Sequence, residues 1–151
     1  MEPKPPFEAE LEGFFLKTLP EFPANVKDII VQVLPWLALI GGIFGVIGIL
    51  GSLGLTGISV FTFSGTLMFA GLFTLASNAL TAILDLLAFN PLRSNRRQGW
   101  NFLYYSVLVA TAFSIVAGLL NFPYGIGGII LTIIVAGIEL WILFQVRERY
   151  Y

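Results

Sequence analysis

The 151-residue chain has no cysteine and no histidine. The first absence removes disulfides, thiolate metal sites and cysteine nucleophiles. The second removes the commonest general base, the commonest metal ligand and the usual axial ligand of haem. Charge is scarce as well: 11% of residues are Asp, Glu, Lys or Arg, against roughly 25% in soluble domains. What fills the space is apolar. Hydrophobic residues make up 57% and the mean hydropathy is +0.88, which places the chain in a membrane.

The chemistry left over is thin. No nucleophile stands beside a base, and no cluster has the ligand count of a metal site. No glycine loop is followed by the lysine and helix start that phosphate binding requires. No enzymatic activity and no cofactor are therefore expected. The basic stretch RSNRR, residues 93–97, is already explained by membrane topology, so nucleic acid is not an expected partner.

A spanning helix needs about 20 mostly apolar residues to cross a roughly 30 Å hydrocarbon layer. Four stretches meet that requirement, at about residues 26–51, 64–89, 101–120 and 126–146. Asn25, with Asp28 three residues on, reads as the N-cap and capping box of the first. Pro35 inside that span predicts a kink. Asn90-Pro91 predicts the end of the second span, because the residue before proline is pushed out of the helical region. Residues 52–63 are expected as an outer loop or re-entrant piece, and NFPYG, residues 121–125, as the last turn. The expected fold is an all-α integral membrane protein, a four-transmembrane-helix bundle over 26–151 behind an N-terminal amphipathic segment, residues 1–25.

In that segment Phe7, Leu11, Phe14, Phe15 and Leu19 fall on one helical face. Its polar face carries Glu8, Glu10 and Glu12, the wrong sign for an anionic inner leaflet. Packing on the cytoplasmic mouth of the bundle, near the arginines of the 90–100 loop, is the leading expectation, with docking to another protein second. The charged residues before the first span do not form the basic-then-apolar order of a cleaved signal peptide.

With four spans, all eight basic residues fall on one side: Lys4, Lys17, Lys27, Arg93, Arg96, Arg97, Arg147 and Arg149. Loops 52–63 and 121–125 carry no charge. The positive-inside rule then orients a multi-pass protein with both termini cytoplasmic. Trp100, Tyr104, Tyr105, Trp141, Tyr150 and Tyr151 lie at the same level and are expected to form an aromatic belt at the interface.

Past Asp28 in the opening turn of the first span, Asp85 and Glu139 are the only carboxylates inside the spans, where a charge costs about +2.5 to +3.5 kcal/mol on insertion scales. One reading pairs Asp85 with Arg93 or Arg96 and Glu139 with Arg147, each arginine snorkelling back. The other starts from stripes of polar and small residues. Thr74, Asn78, Thr81 and Asp85 share one face, as do Gly128, Thr132, Ala136 and Glu139, and Thr111, Ser114, Gly118 and Asn121. These faces are expected to meet inside the bundle. There they act either as interhelical hydrogen bonds of roughly 0.6–2 kcal/mol each or as an ion path lined by Asp85, Glu139, Asn78, Thr74, Thr81 and Thr132.

The stretch GGIFGVIGILGSLGLTG, residues 41–57, repeats glycine at every third position from Gly42 to Gly57. A period of three winds around a helix and marks no face. The set that shares a face is Gly41, Gly45, Gly48 and Ser52, spaced as a left-handed packing seam. Gly51, Gly54 and Gly57 are expected to serve the outer loop at positive φ.

The segments PWLALIGGIFGVIG, RRQGWNFLYYS and LFQVRERYY resemble a family of small, uncharacterised bacterial four-span membrane proteins. The likeness runs from about residue 8 to the end and implies the four-span architecture and a bacterial inner membrane. It implies no activity and no catalytic residues. The leading functional expectation is a structural, assembly or accessory subunit acting through helix packing, as a homo-oligomer or within a larger membrane complex. The alternative is a small proton or cation transporter or channel using Asp85 and Glu139.

Overall fold

The computed structural model describes residues 5–121 and 123–151, so Lys4 of the basic set lies outside the described residues. The elements are α1 (Glu8–Thr18), α2 (Ala24–Phe61), α3 (Gly65–Arg93), α4 (Arg97–Leu120) and α5 (Ile126–Val146), closed by a 3-10 turn at Arg147–Arg149. Four of these helices, α2 to α5, are long and apolar enough to cross a membrane. Neighbours in sequence pack as neighbours in space, α2 on α3, α3 on α4 and α4 on α5, whereas α2 and α5 meet only sparingly. Both described ends of the chain gather at one end of the bundle, called here the base. The Tyr151 N–H donates to the Asn95 carbonyl (3.1 Å) and the Arg97 N–H to the Tyr151 carbonyl (3.1 Å), tying the C-terminus to the α3–α4 turn.

The first span departs most from its expected bounds. Residues 52–61, expected as loop, continue α2 to Phe61, so the helix is about 57 Å long at 1.5 Å per residue. Glycine costs a helix about 1 kcal/mol in water, but an unpaired backbone group in hydrocarbon costs several. The helix therefore runs on through Gly51, Gly54 and Gly57. Ser52, Thr56 and Ser59 turn their hydroxyls back onto the carbonyls of Gly48 (2.7 Å), Ser52 (2.9 Å) and Thr56 (2.6 Å). No glycine has positive φ; the residue that makes the α2–α3 turn left-handed is Phe63, at φ 50°.

Two end signals also resolve differently. The N-cap of α2 is Pro23, whose carbonyl receives the Val26 and Lys27 N–H groups, and Asn25 makes no cap bond. α3 passes Pro91 and ends at Arg93, with the Ser94 N–H bonded to the Asn90 carbonyl at 3.3 Å. A proline in a last turn forfeits one hydrogen bond, and here the following Leu92 is completely buried, which holds that turn in place.

The α2–α3 contact is the most extensive of the bundle and explains the glycine spacing. A Cβ at Gly41 would lie 2.9 Å from Asp85 Oδ2, one at Gly45 2.7 Å from Ala82 Cβ, and one at Gly48 2.6 Å from Asn78 Nδ2. As α2 ascends, its partners on α3 descend, so the pair is antiparallel. Asn78 Nδ2 also donates to Ser52 Oγ at 3.2 Å, closing the fourth seam position. Replacing Gly45 or Gly48 with leucine is expected to force the two helices apart. The expected readout is a lower thermal unfolding temperature in detergent, with Gly54→Leu, whose side has open space, as the unaffected control. Equal loss in all three variants would remove the seam as the cause.

The packed core sits at the base, where Trp100, Tyr104, Phe144, Leu92 and Val146 are all but fully buried. Trp100 stacks on Tyr104 (5.2 Å, 13°) and meets Phe144 edge-on (5.5 Å). The expected aromatic belt is corrected accordingly: Trp100, Tyr104 and Tyr150 are core, whereas Tyr151 is exposed. For Trp100 and Tyr104 the polar atoms explain the difference. Trp100 Nε1 donates to the Leu143 carbonyl (2.8 Å) and Tyr104 Oη to the Pro6 carbonyl (2.7 Å), so each ring is satisfied without the water of an interface.

α1 lies across this base. Glu8, fully buried, receives Arg97 Nη2 at 2.5 Å and also pairs with Arg147, which reaches Glu12 at 2.5 Å. Phe15 stacks on Phe144 at 5.7 Å. The link between α1 and α2 is fixed by Gln145, whose Oε1 accepts from the Phe22 N–H (3.0 Å) and whose Nε2 donates to the Pro20 carbonyl (3.2 Å).

Candidate functional site

Asp85 precedes Arg93 by eight residues and Glu139 precedes Arg147 by eight, so each stands about 12 Å along its helix from the base. The bundle turns that equal depth into convergence. Both carboxylates line one cavity of about 400 Å³ in the middle of the four helices. α2 contributes Leu34, Ala38 and Gly41, α3 Thr81 and Asp85, α4 Leu103 and Ser106, and α5 Glu139 and Ile142. The missing side chain at Gly41 is what makes room for the Asp85 carboxyl. The cavity has an open side: Glu139 is exposed, and Leu37, another wall residue, is 55% exposed.

Of the arginines expected to neutralise these two acids, Arg147 and Arg93 are engaged elsewhere, and Arg96 is exposed and in no ion pair among the described residues. Arg147 pairs with Glu8 and Glu12, Arg97 with Glu8, and Arg149 with Asp28 at 3.1 Å. Arg93 lies over the rings of Phe89 (5.5 Å) and Trp36 (5.9 Å). Lys27 is held by Glu21 (2.7 Å) and Glu148 (2.8 Å). Among the described residues no cation pairs with Asp85 or Glu139, and the snorkelling reading is corrected. The acidic face of α1 accounts for it, since Glu8 and Glu12 supply nearer partners outside the membrane length.

The remaining polar stripe divides. Thr81 reaches the cavity, though its hydroxyl donates to the Ser77 carbonyl at 3.0 Å. Asn78 belongs to the α2–α3 seam. Thr74 is exposed, and neither it nor Thr132 lines the cavity. The α4 stripe fares no better: Thr111 bonds its own helix at the Val107 carbonyl (2.7 Å), and Ser114 is exposed. A stripe of 3.6-residue period identifies residues that share a face but not what that face meets. The face of α4 that does meet the cavity carries Leu103, Ser106, Val107 and Ala110, a spacing of 3, 1 and 3 that was available in the sequence but holds only one polar residue. Ser106 was missed for that reason.

The other polar concentration is the base itself. Arg93, Arg96, Arg97, Arg147 and Arg149 all fall at this end, as their places in the α3–α4 turn and after α5 require. Tyr150 is 3% exposed, and burial pushes its hydroxyl up to about 12. No group of three or more metal-ligating side chains occurs among the described residues.

The fold and the cavity define a class: an α-helical protein with four helices long and apolar enough to span a membrane and two carboxylates lining one pocket between them. No protein-family model, no curated protein and no solved structure matches the chain.

Proposed function

We infer that this is a multi-pass membrane protein, with its base on the cytoplasmic side, that binds a cation within the bilayer and carries it or a proton across. The observation that supports this is the cavity shared by Asp85 and Glu139 with no basic side chain to neutralise it. An acid held at membrane depth costs a few kcal/mol, and a fold that brings no cationic side chain to either acid has left that cost for a ligand to offset. Asp85 and Glu139 are the binding groups, Ser106 and Thr81 the neutral oxygens beside them. The test is proton- or cation-driven flux into proteoliposomes, comparing the wild type with Asp85→Asn and Glu139→Gln; wild-type flux no greater than that of empty vesicles removes the reading.

A second reading, an accessory or assembly subunit acting through helix packing, is favoured by a separate observation. Gly51, Gly54 and Gly57 on α2, and Gly127, Gly128 and Gly137 on α5, have nothing within 4 Å of where a Cβ would sit. Bare small-residue faces are what membrane helices use to approach one another. Blue native electrophoresis after gentle extraction is expected to show a homo-oligomer or a larger complex, and a strictly monomeric species without a copurifying partner would count against it.

A further inference from the structure

The cavity's walls and its opening indicate what kind of cation it takes. Apart from Asp85, Glu139, Ser106 and Thr81, the lining is aliphatic, with Leu34, Leu37, Leu103 and Ile142 among its walls. A hard metal ion prefers a shell made almost wholly of oxygens, whereas most of this cavity's wall is aliphatic. A cavity of about 400 Å³ with apolar walls and a few convergent polar groups has instead the form of a site for a small organic molecule. Ser106 is 6% exposed and lines the cavity, with its hydroxyl in hydrogen-bonding reach of the Asp85 carboxyl, so the polar groups of the site converge on one side of an otherwise apolar space.

Access is lateral. α2 and α5 meet sparingly, and the wall residues on their two sides of the opening, Leu37 and Glu139, are exposed at a depth where the surroundings of the bundle are lipid. A hydrated inorganic ion cannot approach through hydrocarbon, but an amphiphilic cation already partitioned into the bilayer can. The charge has to come from such a guest, because the described basic residues all lie at the base ends of the helices, where a second copy alongside would also hold its own.

We propose that the cavity binds lipophilic organic cations, with the cationic centre between Asp85 and Glu139 and the apolar body against Leu34, Leu37, Leu103 and Ile142. This rests on the cation-binding reading above and names its ligand class. The test is equilibrium binding of tetraphenylphosphonium to the full chain in nanodiscs, with tetraphenylborate, nearly the same shape with the opposite charge, as the control. Tetraphenylphosphonium is expected to bind saturably and tetraphenylborate not to. Asp85→Asn and Glu139→Gln are each expected to weaken binding about tenfold or more, while sodium and potassium do not displace the probe. Because a variant can fail to fold, the wild type is also treated with a hydrophobic carbodiimide and analysed by mass spectrometry. Labelling at Asp85 or Glu139 is expected to be suppressed by tetraphenylphosphonium. Equal binding of the two probes, or labelling that the cation does not suppress, overturns the proposal. If inorganic cation or proton flux persists in that case, the broader reading survives and only the ligand class is wrong; if neither flux nor binding occurs, both fall.

Discussion

Proteoliposomes containing Asp85→Asn are expected to lose about 100-fold in cation flux relative to wild type, the factor that corresponds to about 2.7 kcal/mol, within the range for removing one partner of a buried charge pair. Asparagine keeps the shape of the side chain and so leaves the Gly41 clearance undisturbed. Only the charge is removed. Glu139→Gln is expected to act in the same direction with a smaller effect, because Glu139 is exposed on the open side of the cavity and Asp85 is half-buried opposite Gly41. Thr74→Val and Thr132→Val, outside the cavity, are expected to leave flux unchanged. Equal loss from all four variants would point to a general disturbance of the bundle.

Glu8→Ala is expected to be the most destabilising single change at the base. It leaves Arg97 and Arg147, with side chains 27% and 14% exposed, facing each other across the place of their common acid. Breaking a buried pair from one side costs about 3–5 kcal/mol, because the remaining charge is stranded. Arg147 keeps Glu12, which moderates the loss. The measurement is thermal unfolding in detergent together with limited trypsin digestion at Lys17, an exposed residue of α1. Faster cleavage at Lys17 is the sign that α1 has left the base. Glu10→Ala, on the exposed side of the same helix and in no ion pair among the described residues, is the control.

These two expectations depend on quite different amounts of foresight. The spacing of Gly41, Gly45, Gly48 and Ser52 is enough to define a packing face, and α3 lies along it. The uncharged loops and basic ends are enough to put Arg93 to Arg97 and Arg147 to Arg149 at one end of a four-span bundle. Asp85 and Glu139 stand out in the sequence simply as charges inside apolar runs. Their arginine partners do not follow from the sequence, because the choice between Arg147 with Glu139 and Arg147 with Glu8 depends on where α1 docks. Nearness along a helix favours the first, and the buried socket under α1 decides for the second.

The sequence alone determined the quantities that depend on neighbours a few residues apart: how many spans there are, which residues share a helical face, which end carries the charge, and which chemistries lack their side chains. Tertiary structure decided which faces meet. It brought Asp85 and Glu139, 54 positions apart, to one cavity, and it placed Glu8 between Arg97 and Arg147. It also carried α2 through a glycine-rich stretch to Phe61. The physical reason is common to these cases. Periodicity fixes a direction around one helix axis, whereas the rotation and order of the helices about one another are set by contacts between residues far apart in sequence and by a solvent that leaves an unpaired backbone nowhere to go.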